Sequence, residues 1–279
     1  MQNAWLSNTF NYSQEKYLLG KYTKFFSKEL HATRLNNLIW KKQWGSASRQ
    51  LKRVNKDIKA LSQAKILLAR RRGNVDNAIK KIPKSLINEE SIVYERIKWR
   101  RRAKLEEKSL ELLLSYNGPI SQSKKWWREV NYHTRKQIRY EKYDTAIDLL
   151  KQYIANTSDY SAEANWLAGW LSLTFKKDPS NSYEYFKEMF RNVITPISKA
   201  RASYWAGKSA EALSDYDGAN LWYTRSAAYP ATFYGQLATK VLNKQLFMPT
   251  SSSTFSKEEY LTFKESELSR CLIADSNSL

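Results

Sequence analysis

A small residue with a bulky one three before it and another four after it recurs along this chain. Ala47 lies between Trp44 and Leu51, Ala78 between Val75 and Ile82, and Ala146 between Tyr143 and Leu150. Weaker copies centre on Ser109, with Leu113 four later, and on Ser182, with Phe186 four later. A sixth centre is Ala219, and the steps between centres are 31, 31, 37, 36 and 37 residues. Offsets of three and four share one helix face. Steps near 34 residues are those of helix-pair repeats, each of which buries its apolar face only against its neighbours. The pattern predicts an all-α superhelix, an α-solenoid of stacked, tetratricopeptide-like antiparallel helix pairs.

The clearest unit begins at Ser198. Ala202, Trp205, Ala206, Ser209, Ala210 and Leu213 fall on one face. Asp215-Tyr216-Asp217-Gly218 reads as a turn, and Ala219, Trp222, Tyr223, Ser226 and Ala227 form the face of a second helix. Gly207, Tyr216, Ala219 and Tyr223 take the offsets of a tetratricopeptide-like pair. A helical Gly costs about 0.5–1 kcal/mol relative to Ala. Gly207 is therefore expected to permit close helix approach, its cost offset by burial of Trp205 and its neighbours. Trp166-Leu167-Ala168-Gly169 repeats the Tyr204-Trp205-Ala206-Gly207 tetrad one unit earlier.

Eight Gly and six Pro in 279 residues are too few to punctuate many strands, in keeping with the helical period. No apolar run reaches the 18 or more residues of a membrane span. Cys271 is the single cysteine, so no intrachain disulfide forms and too few thiolates exist for a zinc site. Asn117-Gly118-Pro119 interrupts the helices, and Thr195-Pro196 is a helix start. From Met248 to Phe255 the chain reads as a linker, with a short helix expected from Lys257 to Ile273 and a frayed end. The organisation predicted is a lead-in helix or partly ordered segment over 1–20, the superhelix over 21–246, and a linker with a short C-terminal helix over 247–279.

Three segments carry a resemblance. "EANWLAGWLSLTF", "TPISKARASYWAGKSAEAL" and "YPATFYGQLA" are similar to the helical superdomain of soluble lytic transglycosylases, bacterial enzymes that cleave peptidoglycan glycan strands. "HATRLNNLIW" and "WWREVNYHTRKQI" resemble earlier helices of that region, so the likeness covers roughly residues 20–245. It implies a U-shaped or ring-like superhelix preceding a lysozyme-like catalytic domain, in which one Glu acts as acid and then base to give 1,6-anhydromuropeptides. It also implies a periplasmic protein. This chain ends where the catalytic domain would begin. Its N-terminus has no basic start and apolar block of an export signal, which leaves the cytoplasm as the expected compartment if Met1 is the true start.

Glu265-Ser266 mimics the family's catalytic pair, but no Gly-Leu-Met-Gln segment follows and 13 residues remain after Ser266. A general acid at neutral pH needs a buried carboxyl with a raised pKa, which this polar stretch does not supply. Tyr116-Asn117-Gly118-Pro119 is explained by turn chemistry. His31 and His133 lie about a hundred residues apart with no ligand cluster, so both read as packed polar residues. No residue is expected to be catalytic, cofactor-binding or metal-ligating, and no cofactor is expected.

The formal net charge is +20. Such a charge attracts polyanions and makes association salt-sensitive. Three basic runs contribute to it: Ala69-Arg70-Arg71-Arg72, Trp99-Arg100-Arg101-Arg102 and Lys124-Lys125-Trp126-Trp127-Arg128. Basic residues interleaved with aromatics suit nucleic acid or acidic glycan peptide. The simpler expectation is a solvated face with the Trp rings turned inward. The function expected first is that of the non-catalytic superhelical region of a lytic-transglycosylase-like protein. It would bind or position peptidoglycan glycan strands, or a separate catalytic chain, without cleavage by this chain alone. A tetratricopeptide-like protein-interaction scaffold is the alternative, and a basic nucleic-acid-binding superhelix ranks third. Self-association through exposed end helices is also expected.

Overall fold

A computed structural model describes residues 2–157 and 160–245 and, past them, 256, 258, 261 and 262. The described residues form fifteen α-helices and no strand, with one isolated bridge between Ile120 and Thr157. Helices α1 (Gln2–Ser7) and α2 (Tyr12–Tyr22) precede six hairpins. These pair α3 (Lys28–Trp40) with α4 (Trp44–Gln50), α5 (Lys56–Arg70) with α6 (Val75–Lys80), and α7 (Glu90–Arg102) with α8 (Glu106–Ser115). The next three pair α9 (Ser123–Arg139) with α10 (Tyr143–Asn156), α11 (Ala162–Thr174) with α12 (Pro179–Asn192), and α13 (Pro196–Ala212) with α14 (Tyr216–Ala227). Helix α15 (Phe233–Val241) packs on both α13 and α14. First helices also pack on the first helices beside them, α3 on α5, α5 on α7, α7 on α9 and α11 on α13. Packing that is mostly with the next one or two elements is that of a solenoid.

The repeat register holds in all six hairpins. Ala47, Ala78, Ser109, Ala146, Ser182 and Ala219 are each the fourth residue of a second helix. All but the half-buried Ala78 lie in the core. The weaker copies open on Glu106 and Pro179, residues that suit a first helical turn. Their serines are satisfied rather than merely small. Ser109 Oγ donates to the Ile97 carbonyl at 2.9 Å, and Ser182 Oγ meets Ser209 Oγ of the next pair at 2.8 Å.

Each hairpin turn carries a left-handed residue five before its centre: Lys42, Gly73, Lys104, Glu141, Lys177 and Ser214, with φ between 52° and 73°. In four of these turns the following N–H closes back on the carbonyl five residues earlier, as in Gln43 to Leu38 at 2.8 Å and Leu105 to Arg100 at 2.9 Å. That closure satisfies carbonyls that a helix end leaves free.

Two details differ from the sequence reading. The turn before α14 is shorter than 215–218, because the Asp215 carboxylate caps the helix by accepting from Gly218 N at 2.9 Å. The ring over Gly207 belongs to Tyr223, not Trp205. A Cβ at Gly207 would stand 2.7 Å from Tyr223 Cε1, whereas Trp205 stacks on Phe186 at 5.8 Å. Gly169 repeats the device, its would-be Cβ lying 2.8 Å from Phe186 Cζ. Tyr223 and Phe186 both stand four residues after a centre, so the same aromatic presses on the same glycine in consecutive units.

The largest core cluster runs from α5 to α11 around Ile92, Ile97, Trp126 and Leu150. Within 1–20 the chain forms α1 and α2, and α1 is anchored by the fully buried Trp5. Its indole stacks on Phe26 at 4.6 Å and on the Arg34 guanidinium at 3.9 Å. Arg34 donates to the Trp5 and Asn8 carbonyls, and burial pushes its pKa down to about 10. The segment 247–279 lies outside the described residues but for the four named above.

Candidate functional site

Two of the basic runs lie at the C-terminal ends of first helices and the third at the start of one, and packing brings one cation from each to a single cleft. Arg70 comes from the last turn of α5, Arg102 from the last turn of α7 and Lys125 from the first turn of α9. Lys42, in the α3–α4 turn, and Lys98, in mid-α7, complete a set of five cations around about 200 Å³. Trp40, Trp44 and Tyr94 supply aromatic wall, and Glu95 is the single carboxylate.

That carboxylate is already committed. Glu95 Oε1 pairs with Lys98 Nζ at 2.5 Å, and both residues are buried. Lys98 also stands 4.8 Å from the Tyr94 ring centre. Lys125 Nζ donates to the Trp40 carbonyl and to Gln122 Oε1, both at 3.0 Å, and sits 4.5 Å from the Trp40 ring centre. Both acceptors are neutral, so a half-buried ammonium is held in place without a counter-ion. Burial and the neighbouring Lys98 hold Lys125 below the usual lysine range, and burial does the same to Lys98 against the pull of Glu95. The cleft can neutralise an incoming anion, and its one carboxylate is paired through Oε1 with Lys98, while Oε2 is buried without a hydrogen-bond partner.

The remaining members of the runs are dispersed. Arg101 makes a bidentate pair with Glu129, Nη2 to Oε1 at 2.9 Å, and Arg100 donates to the Lys108 carbonyl at 2.7 Å. Arg71, Arg72, Lys124 and Arg128 are exposed. Trp126 is buried and donates to Glu90 at 3.0 Å, and Trp127 packs on the core beside Tyr153. The inward Trp rings and most of the charge, the exposed Arg70 and Arg102 included, thus follow the solvated-face expectation, while the half-buried Lys125 departs from it. Lys42 and Lys98 lie outside the three runs, although Lys98 directly precedes Trp99-Arg100-Arg101-Arg102 and Lys41-Lys42 stand between Trp40 and Trp44.

A more open cleft of about 420 Å³ lies between α8 and the α9 end. It is lined by Lys104, Lys108, Lys136 and Lys142, but Glu106 and Glu107 line it too, and Glu106 is bound by Lys136 and by the Tyr132 hydroxyl.

His133 lies beneath this cleft, and the structure sets it against Ser109, Nε2 to Oγ at 3.0 Å. The pair has the wrong polarity for nucleophilic catalysis. Ser109 spends its proton on the Ile97 carbonyl, so His133 must donate to the hydroxyl instead of accepting from it. Burial pushes the imidazole down to about 4, and Ser109 is wholly enclosed. His31, in α3, packs edge-on to Trp5 and Phe26 with Nδ1 2.9 Å from Gln50 Nε2. Both histidines are packed polar residues. Asn117-Gly118-Pro119 forms the α8–α9 connection, closed by the Tyr116 hydroxyl donating to the Pro119 carbonyl at 2.9 Å. Glu265, Ser266 and Cys271 lie outside the described residues. Among the described residues no group of three His, Cys, Asp or Glu could hold a metal ion, and no helix is long and apolar enough to cross a membrane.

In comparisons with known proteins, no family model, no curated protein and no solved structure matches this chain.

Proposed function

We propose that this chain is a binding superhelix, the non-catalytic part of a lytic-transglycosylase-like cell-wall protein, and that it holds peptidoglycan without cutting it. The observation that carries this reading is the first-helix cleft, where cations held beside Trp40, Trp44 and Tyr94 await an anionic partner. Peptidoglycan presents sugar rings for aromatic walls and acidic peptides for the cations. The described residues supply a neutral His–Ser pair already spent on packing, and the one carboxylate of the cleft is bound to Lys98. Neither is arranged to give a proton to a glycosidic oxygen.

Incubation of the purified chain with isolated sacculi tests the reading, with pelleted protein and soluble anhydromuropeptides measured together. Pelleting that weakens with salt, without products, is the expected result. Anhydromuropeptides would overturn the non-catalytic assignment. A chain that stays in the supernatant at low salt would overturn the cell-wall assignment.

A further inference from the structure

The cleft has the size and charge of a seat for one anionic group, not of a track for a polymer. Its volume of about 200 Å³ is below the roughly 300–1,000 Å³ of a drug-sized site. Lys42, Arg70, Arg102 and Lys125 form no ion pair among the described residues, and they line one cleft from four successive helix pairs, the first three of them exposed. Lys125 is the best placed of them. Two of its three N–H groups are fixed on Trp40 and Gln122, which leaves one for a ligand and holds the ammonium still for it. Arg71, Arg72, Lys124 and Arg128 do not line the cleft, whereas a site for a phosphodiester backbone tracks it along a basic groove. The Trp40 face is covered by Lys125, which reduces the aromatic surface open to a sugar or a base.

We propose that the cleft seats a carboxylate of a short acidic peptide, with Lys125 and Arg102 as the contacting groups, and that it reads the peptide of the cell-wall strand instead of its sugars. This rests on the cell-wall reading above and narrows it. The recognition is electrostatic and terminal: one carboxylate enters, accepts charge-assisted hydrogen bonds and leaves the glycan outside.

The test is calorimetric titration of the whole chain with three probes. These are the tripeptide Ala-γ-Glu-diaminopimelate, the same peptide with its carboxylates amidated, and neutral chitohexaose. Binding of the free-acid peptide is expected, with at least a tenfold loss on amidation, the change that follows loss of one charge-assisted hydrogen bond. Lys125→Met and Arg102→Gln should each weaken the peptide tenfold or more, and the exposed Lys124→Met should not. Arg102 is exposed at its helix end, so that variant remains informative if loss of the Lys125–Trp40 contact unfolds the other. Chitohexaose binding as tight as the peptide, or indifference to amidation, would overturn the proposal. So would an oligodeoxythymidine that outbinds the peptide and depends on the same two residues. Sacculus pelleting with no peptide affinity would sink this inference while leaving the cell-wall reading intact; loss of both would sink the two together.

Discussion

Replacing Gly207 by Ala should destabilise the protein, although Ala is the better helix former. The new Cβ would lie 2.7 Å from Cε1 and 2.8 Å from Cδ1 of Tyr223, where real contacts fall at 3.4–4 Å. The ring has little room to yield. Tyr223 is 2% exposed, its hydroxyl donates to Glu211 at 2.8 Å, and its ring lies 5.7 Å from that of Tyr204. Overpacking of this kind costs about 1–3 kcal/mol, and the gain in helix propensity returns about 0.5–1 kcal/mol. The net loss expected is about 0–2.5 kcal/mol, the difference of those two effects. The decisive measurement is the same substitution in a Tyr223→Ala background. With no ring to meet, the methyl should stabilise that variant by about 0.5–1 kcal/mol. Urea denaturation followed by far-UV circular dichroism gives all four free energies of the cycle. An increase in stability for Gly207→Ala with Tyr223 in place would refute the close-approach explanation, as would the same sign of effect in both backgrounds.

Further outcomes follow from the turns, the buried histidine and the buried serines. Lys104 and Glu141 hold left-handed φ of 61° and 57°, so Lys104→Gly and Glu141→Gly should each raise stability by about 0.5–1 kcal/mol in thermal melts. His133 has a folded pKa of about 4, below the 6.5 of a free imidazole. The neutral ring is what the fold accommodates, so its stabilising contribution is complete above pH 6.5 and is lost as the pH falls toward 4. The wild type should lose about 2 kcal/mol more than His133→Gln between pH 7 and pH 5 in urea titrations. Equal losses would remove His133 from the acid response. Ser182→Ala should cost about 1 kcal/mol in the same assay, because it removes one neutral hydrogen bond while Ser209 Oγ still donates to the Trp205 carbonyl at 3.0 Å.

The repeat was legible because the fourth residue of a second helix is buried in the core in five of the six hairpins. Only a small side chain fits there, and it leaves a mark every 31 to 37 residues. The weak copies were real for a reason that spacing alone does not supply: Ser109 and Ser182 trade bulk for a buried hydrogen bond. Gly207 was legible as a packing residue but its partner was not, since the choice of Tyr223 over Trp205 is set by the rotation of α14 against α13. The cleft was half visible. Arg70, Arg102 and Lys125 belonged to runs that stood out, yet which member of each run borders the cleft depends on helix phase. Lys42, beside Lys41 between two tryptophans, and Lys98, directly before the Trp99 run, carried the same local signal, but only the fold brings them to one cleft. The Ser109–His133 contact joins positions 24 apart across a repeat boundary, which no short motif encodes.

The bond from Lys125 to the Trp40 carbonyl joins residues 85 apart and ties the first helix pair to the fourth. A stack in which each unit grips only its neighbours is a coil spring, and a link across several of its turns acts as a strut that sets the pitch. The ammonium that would receive an anion in the cleft is the same group that forms the strut. Spin labels at the exposed Lys52 and Thr224 would report the coil's length with and without Lys125→Met, and an unchanged distance would show that the strut bears no load. A ligand that takes the third N–H leaves the strut in place, so one side chain sets both the pitch of the coil and the geometry of the seat.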